Sequence, residues 1–503
     1  MRKFQHLLFA LLVLCYASCK KELKNSWQAG DSGLLRLNKE DRGFIIMAKE
    51  GENLETISAA LVKLNVKKLV IKDAIKDLGL IHVQTPDPSF LEKARLVSGV
   101  ETVALDIVLD WRLPEKTHKI SKAELKQVVK SQPGTNAKST PFKPDPLSFL
   151  QWGLKSVNAA KAWEKGYFGK GAKVAVLDGG FFLNEPELAP NIILSHSFID
   201  GEGVQYKGAE GFSHGSNVAG IIAAVNDGFG VVGVAPQAKL MLVKVLNDEG
   251  RGPFSAAVNG IYYAAVNGAN VINMSFGGVL PRPGKSFIDD NGTPDDKSDD
   301  MVIKYDDYKD IIKAMNRATL FANLMGATLI ASAGNDAYNF DEEKNFITYP
   351  AASTGVLAIA ANGPLGWGIN QDTTLYLPAI YTNSGKSLIA YGAPGGNYSL
   401  PPNTTIVNVG GVVYFEYVFD WIFNVGAEDP ETHELFYTWV AGTSQAAPHA
   451  SAVAALLYGK YGRLASSLLV DQILRRTSTD LGAKGTDRFF GRGQVNAGKA
   501  VSF

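Results

Sequence analysis

The sequence predicts an α/β fold, a mostly parallel sheet covered on both faces by helices, preceded by a small α+β unit of its own. Three observations predict it. From residue 144 onward, apolar runs of buried-strand length alternate with longer helical patterns. Residues 43–110 instead carry short apolar runs and helical spacings in the order βαββαβ. The composition is that of an ordinary globular protein: 503 residues, 50 Lys+Arg against 50 Asp+Glu, and 46% hydrophobic residues. That composition excludes disorder for the bulk of the chain, and the balanced charge argues against a nucleic-acid partner.

The elements follow in order. Met1–Lys3 gives a positive start, Phe9–Leu14 an apolar run too short to span a membrane comfortably, and Ala17-Ser18 small residues before Cys19. This start resembles a bacterial lipoprotein signal, with residues 1–18 removed and Cys19 lipidated. Both cysteines lie in the first 19 residues, so no intrachain disulfide would remain after cleavage. No later segment holds 18 consecutive apolar residues, so anchoring to a membrane is by lipid or, if the start is a plain secretory signal, absent. After a tether over 19–42, Phe44–Met47 reads as a strand, and Leu54, Ile57, Leu61 and Leu64 lie at helical spacing. Lys68–Ile71 and Ile81–Gln84 read as strands, Phe90–Val97 as a helix and Val100–Val108 as a last strand, which together make a ferredoxin-like unit over 43–111. Residues 112–145 carry Lys, Ser, Thr and Pro with little periodicity and read as an exposed linker open to proteolysis.

In the larger domain, 146–503, the strands are expected at Lys173–Leu177, Lys239–Leu246, Asn270–Ser275, Ala327–Ser332 and Val356–Ala361, with helices beginning near His214, Phe254 and Tyr305. Two stretches read as insertions. Residues 279–300 hold six aspartates in a Gly/Pro-rich setting and read as a solvated surface loop; residues 396–438 are aromatic-rich and suit a hairpin beside the active site. The first 143 residues hold 24 Lys+Arg and 16 Asp+Glu, a positive surplus that the rest of the chain balances, so the two parts should attract each other.

Chemistry-bearing residues belong at the carboxyl ends of the strands and the amino ends of the helices. Asp178 follows Val174-Ala175-Val176-Leu177 and precedes Gly179-Gly180. His214 opens a segment of small residues that lets a helix start pack closely on other backbone. Ser444 lies in Ala441-Gly442-Thr443-Ser444-Gln445-Ala446-Ala447-Pro448-His449, before an apolar helix pattern, and Asn335 ends Ala331-Ser332-Ala333-Gly334-Asn335. Singly, an aspartate in a turn, a structural histidine, a serine N-cap and a Gly-Asn turn are the commoner readings. Together the four give the chain order Asp, His, Ser with an amide donor between the last two.

With Gly233-Val234-Ala235-Pro236 and Asn270–Gly278 added, these motifs resemble the subtilisin-like serine proteases, the subtilases, from about residue 146 to 500. The resemblance implies a subtilisin-like three-layer fold and a serine endopeptidase acting on protein or peptide substrates. Ser444 would be the nucleophile, His214 the general base, Asp178 its orienting carboxylate, and Asn335 an oxyanion donor beside the Ser444 N–H. Substrate would lie extended between Gly250-Arg251-Gly252 and Ser275-Phe276-Gly277. Residues 43–111 resemble the family's inhibitory pro-domain, making the chain a monomeric exported zymogen whose maturation site falls in 112–145. The enzyme would be an outer-membrane or cell-surface lipoprotein, or be released when that cut separates it from Cys19. Three positions depart from the pattern: Gly179, where Ser or Thr is usual; Glu185, where a His often precedes Pro; and Asn217, in place of a second His. No cofactor is expected for the chemistry. Residues Val225–Val231 resemble the calcium loop of many subtilases, which implies a structural ion held by the carboxylates of Glu187 and Asp227 and the carbonyls of Val225, Phe229 and Val231. The rival reading is a catalytically inactive, subtilase-like peptide-binding lipoprotein that keeps the cleft without turnover.

Overall fold

A parallel sheet buried on both faces needs strands that are apolar throughout, and Lys173–Asp178 meets this with five of its six residues buried. The computed structural model describes residues 42–113, 115–131, 142–208, 211–289, 297 and 301–503. The signal, Cys19 and the tether lie outside them. In space the central sheet runs Leu377–Pro378, Val356–Gly363, Thr328–Ser332, Val271–Met274, Lys173–Asp178, Lys239–Lys244, Ile192–Ser197, with Ile389–Pro394 also paired to Val356–Gly363. Every pairing is parallel except that of Leu377–Pro378. Alternate residues of Lys173–Asp178 feed opposite cores, as the two-residue period of a strand requires. Val174 and Val176 pack with the helices His214–Ala223 and Thr443–Tyr461. Ala175 and Leu177 pack with the helices Phe254–Val266 and Tyr305–Leu324. No described helix is long and apolar enough to cross a membrane.

The N-terminal unit is a four-stranded antiparallel sheet in the order Val70–Ile75, Leu80–Gln84, Gly43–Ala48, Val100–Asp106. One face carries its helices Leu54–Val62 and Phe90–Arg95 over a core of its own that includes Phe44, Ile46, Ile81 and Val103. The other face, through Ile45, Met47, Leu80 and Ala104, joins the core containing helices Phe254–Val266 and Tyr305–Leu324. The strand expected at Lys68–Ile71 starts two residues later, because Lys68 sits in a turn with φ 44. The strand expected over Val100–Val108 breaks at Ile107, whose carbonyl accepts the Phe254 N–H.

Residues 112–145 depart from the expected linker. Lys116–Ser121 is a strand paired antiparallel to Leu435–Ala441, completing a three-stranded sheet with Ile422–Glu428, and Lys122–Ser131 is a helix. Ile120 and Leu125 lie in the catalytic-side core with the serine helix. The polar sequence of this strand suits a sheet edge, where one row of backbone groups and one face meet water. In the first insertion, Gly278–Pro281 pairs with Phe346–Tyr349 and Ser286–Asp289 with Met301–Lys304; Asp290, Asp295, Asp296, Asp299 and Asp300 lie outside the described residues. The second insertion forms two hairpins, Ile406–Val409 with Val412–Phe415 and Ile422–Glu428 with Leu435–Ala441.

Asp106, paired with His82 inside the N-terminal unit, ties that unit to its neighbour through Ser255. The His82 ring contacts Asp106 at 3.1 Å, and Asp106 also accepts the Ser255 N–H at 2.9 Å and hydroxyl at 2.5 Å. Burial opposes charge on His82, but Asp106 and Asp73 outweigh it and push its pKa up to about 9. A folded-state pKa above the unfolded value of about 6.5 gives stability that is complete below that value and lost as pH rises through 9. The melting temperature of the full chain should therefore fall between pH 7 and pH 9.5 by more than that of His82→Gln. Equal slopes in a fluorimetric pH series would remove this pair from the account.

Candidate active site

Four segments bring their side chains to the carboxyl edge of the sheet. The strand Lys173–Asp178 ends in Asp178, which is 2% exposed and accepts the Gly179 N–H at 2.7 Å. His214 is the first residue of its helix, whose N-cap, Ser213, accepts the Ser216 N–H. Gly215 lets this helix start close on the aspartate loop: a Cβ there would lie 2.6 Å from the Gly180 carbonyl. Nδ1 of His214 lies 2.9 and 3.0 Å from the two Asp178 carboxylate oxygens. A carboxylate only accepts, so Nδ1 carries the proton and Nε2 is turned to the cleft.

Ser444, 1% exposed, is the second residue of the helix Thr443–Tyr461, and its Oγ has no hydrogen-bond partner among the described residues. Pro448 lies four residues on and has no N–H to give the Ser444 carbonyl. Ser275 supplies the missing donor through its Oγ at 2.8 Å, and Asn273 Nδ2 in turn donates to that Oγ at 2.9 Å. Asn335 is held at the same helix start: its Oδ1 accepts the Thr443 N–H at 2.9 Å and the Thr443 hydroxyl at 2.8 Å, which fixes the orientation of the amide. Asn217 uses its amide to tie the histidine helix to the Val425 carbonyl and Thr438, and it accepts from Gln445 beside Ser444. His449, fully buried, is pushed down to about 4 by burial and stays neutral.

A cleft of about 550 Å³ runs along Asp178, His214, Gly250, Ser275, Phe276 and Gly277. The chain itself lies in it. Val108–Asp110 pairs antiparallel with Arg251–Pro253, in the register Arg251 to Asp110 and Gly252 to Leu109. Trp111 donates its N–H to the Gly250 carbonyl at 3.0 Å and its ring N–H to the Gly252 carbonyl at 2.8 Å, and accepts the Gly277 N–H at 3.1 Å. Its ring packs on Phe254 and Phe276. The added strand expected between the two Gly-bearing segments is thus supplied from residues 108–111. Beyond it, Glu115 Oε1 lies 3.4 Å from His214 Nε2, an ion-pair contact longer than a good hydrogen bond, and it sits over Gly442, two residues before Ser444. Burial disfavours charge on His214, but Asp178 and then Glu115 outweigh it and hold its pKa well above the ordinary histidine value.

Of the residues expected to hold calcium, the two carboxylates have separate hydrogen-bond partners. Glu187 is buried with its carboxylate fully engaged: Oε1 by Lys122 Nζ at 3.0 Å and the Tyr437 hydroxyl at 2.5 Å, Oε2 by the Val231 N–H at 2.7 Å. Asp227 is exposed and accepts the Phe229 N–H at 3.0 Å, while Val225 gives its N–H to the Glu187 carbonyl. Among the described residues there is no group of three or more His, Cys, Asp or Glu side chains placed to hold a metal ion. The cation facing Glu187 is the Lys122 ammonium.

The family model described as the Subtilase family matches residues 169–493. The chain belongs to the subtilase family. A thermostable alkaline protease of Halalkalibacterium halodurans is 30% identical over 411 residues, covering 82% of this chain and 90% of that one. Thermitase of Thermoactinomyces vulgaris is 28% identical over 359 residues, 71% of this chain and 98% of its own. Fervidolysin of Fervidobacterium pennivorans, a keratinolytic enzyme related to subtilisin, shares the fold at TM-score 0.62 and 20% identity, over 94% of this chain and 63% of that structure. The epidermin leader peptide processing serine protease of Staphylococcus aureus does so at TM-score 0.65 and 18% identity, over 92% and 98%. This subtilase is a serine endopeptidase acting on protein substrates, and subtilases need no cofactor for catalysis.

Two side chains of this subtilase carry no motif and were not legible in advance, Glu115 beside His214 and Lys122 beside Glu187. Both lie in the stretch whose polarity reads as linker, and their partners are set by pairing with residues some 300 positions downstream. Replacing Glu115 by glutamine removes one of two negative neighbours of His214, so the imidazole should lose its proton at lower pH. An NMR titration of histidine-labelled full chain checks this; an unmoved His214 midpoint would mean that Glu115 has no electrostatic hold on it.

Proposed function

We propose that this subtilase is an exported zymogen that cleaves peptide bonds through Asp178, His214 and Ser444. The observation that carries the reading is the two-oxygen contact of Asp178 with His214 Nδ1, which leaves Nε2 as the base facing the cleft. His214 takes the proton of the Ser444 hydroxyl as Oγ attacks the scissile carbonyl, and Asp178 stabilises the imidazolium. Asn335 and the Ser444 N–H hold the tetrahedral oxyanion. His214 then protonates the leaving amine, and water, deprotonated by the same ring, releases the acyl group. Substrate takes the place that residues 108–113 now occupy between Gly250–Gly252 and Ser275–Gly277, and the N-terminal unit acts as inhibitor until the chain is cut. The secretion signal ending at Cys19, the lipid on that residue and a monomeric state complete the reading.

A serine-directed fluorophosphonate should label the processed chain at Ser444 and leave Ser444→Ala unlabelled. A folded, processed chain that takes no label would instead be the inactive peptide-binding lipoprotein. Removing one oxyanion donor in enzymes of this mechanism costs roughly 10²–10³-fold in kcat. Asn335→Ala should lose that much in kcat with little change in KM; steady-state kinetics on a peptide substrate would reject the role if KM alone moved.

A further inference from the structure

Glu185 and Glu187 are both fully buried, and two carboxylates so placed cannot share a pocket without a counter-charge. That charge is Lys122 Nζ, at 2.5 Å from Glu185 Oε1 and 3.0 Å from Glu187 Oε1, with its ammonium also 4.5 Å over the Tyr437 ring. The Lys122 side chain is 8% exposed. The pocket is otherwise built: Tyr437 and the Val231 N–H hold Glu187, the Glu187 N–H reaches Glu185 Oε1, and Glu185 Oε2 is buried with no hydrogen-bond partner. Burial pushes Glu187 up to about 7 even with the lysine opposing it. Lys122 arrives from outside the family motifs, at the head of the helix Lys122–Ser131, after the strand that pairs with Leu435–Ala441.

We propose that the ammonium of Lys122 is the structural cation of the catalytic domain, occupying between Glu185 and Glu187 the place of a divalent ion and keeping residues 116–131 seated in the mature enzyme. Upstream of Glu115 the chain belongs to the cleft and the N-terminal unit; from Lys116 on it belongs to the catalytic core through Ile120, Leu125 and this ion pair. Leaving the pocket would deprive two buried carboxyl groups of their cation and donor, whereas none of the pocket's contacts involves the N-terminal unit. The retention of 116–131 rests on the protease reading; the cation role does not.

The test therefore has an arm without catalysis. In full-chain Ser444→Ala, melting should be the same in EGTA and in millimolar calcium. Adding Lys122→Met should lower the melting temperature by several degrees in EGTA and make it rise with calcium, and adding Glu185→Gln to that variant should abolish the rise. A parent stabilised by calcium as much as the Lys122→Met variant, or a Lys122→Met variant indifferent to calcium, would overturn the proposal. The second arm needs no substitution at the lysine. Enzyme that has processed itself, passed through gel filtration in EGTA, should still contain residues 116–131 by mass spectrometry; active enzyme lacking them refutes their retention. A chain that never hydrolyses peptide fails the protease reading alone, since the melting comparison is unaffected.

Discussion

Buried carboxylates shape this molecule more than any other group, because each must be met by a cation or by hydrogen-bond donors before the surrounding core can close. Asp178 is met by His214 and the Gly179 N–H at the end of the central strand. That pairing fixes the imidazole's tautomer and its direction, and so determines where a nucleophile has to stand. Asp106 is met by His82 and Ser255 where the N-terminal unit docks. Glu185 and Glu187 are met by Lys122 and Tyr437. Three separate parts of the chain are thus joined at points where charge leaves no alternative partner of equal quality.

The serine helix shows the same economy in neutral groups. Its first turns are built from small residues and run through the middle of the core, so that sixteen consecutive residues, Thr443–Tyr458, are buried. Such a helix has no room for capping side chains of its own, and Gly442 makes no side-chain cap. Asn335 and Ser275 arrive from strand ends to satisfy the groups left over, one at the Thr443 N–H and one at the carbonyl orphaned by Pro448. On the protease reading, the residues that place Ser444 are therefore neighbours of the reaction, and a change in either would move the nucleophile's backbone as well as the local polarity.

The parallel sheet was legible because buried strands such as Val174–Leu177 are apolar without interruption, and the contact of Asp178 with His214 because each stands beside small residues at a strand end or a helix start. The departures from the family pattern also find their reasons. A Cβ on Gly179 would already lie 3.1 Å from the Asn247 carbonyl, Asn217 links two elements through both ends of its amide, and Glu185 has its own cation. What the sequence hid is the strand Lys116–Ser121. Its two lysines, histidine and hydroxyl residues read as solvated chain, since an edge strand draws its order from a partner more than 300 residues away, and no local period reports that. The cation facing Glu187 was hidden for the same reason: the loop Val225–Val231 displays its own candidate ligands but cannot display a lysine that enters from another segment.

The course of the chain past Asp178 and His214 has an electrostatic consequence distinct from blocking the cleft. Upstream, residues 108–111 are fastened to Gly250–Pro253; downstream, Lys116–Ser121 is fastened to Leu435–Ala441, so Glu115 is held between two anchored strands. Its carboxylate beside Nε2 gives His214 a second negative neighbour in addition to Asp178. One such neighbour prepares an imidazole to accept a proton, but two favour the proton already being there, and a ring that carries it cannot take another from Ser444. On the zymogen reading, the intact chain restrains its own base by charge as well as by occupying the cleft. Cutting the chain near Glu115 would free one of the two anchors and, with it, the geometry that keeps the second carboxylate in place.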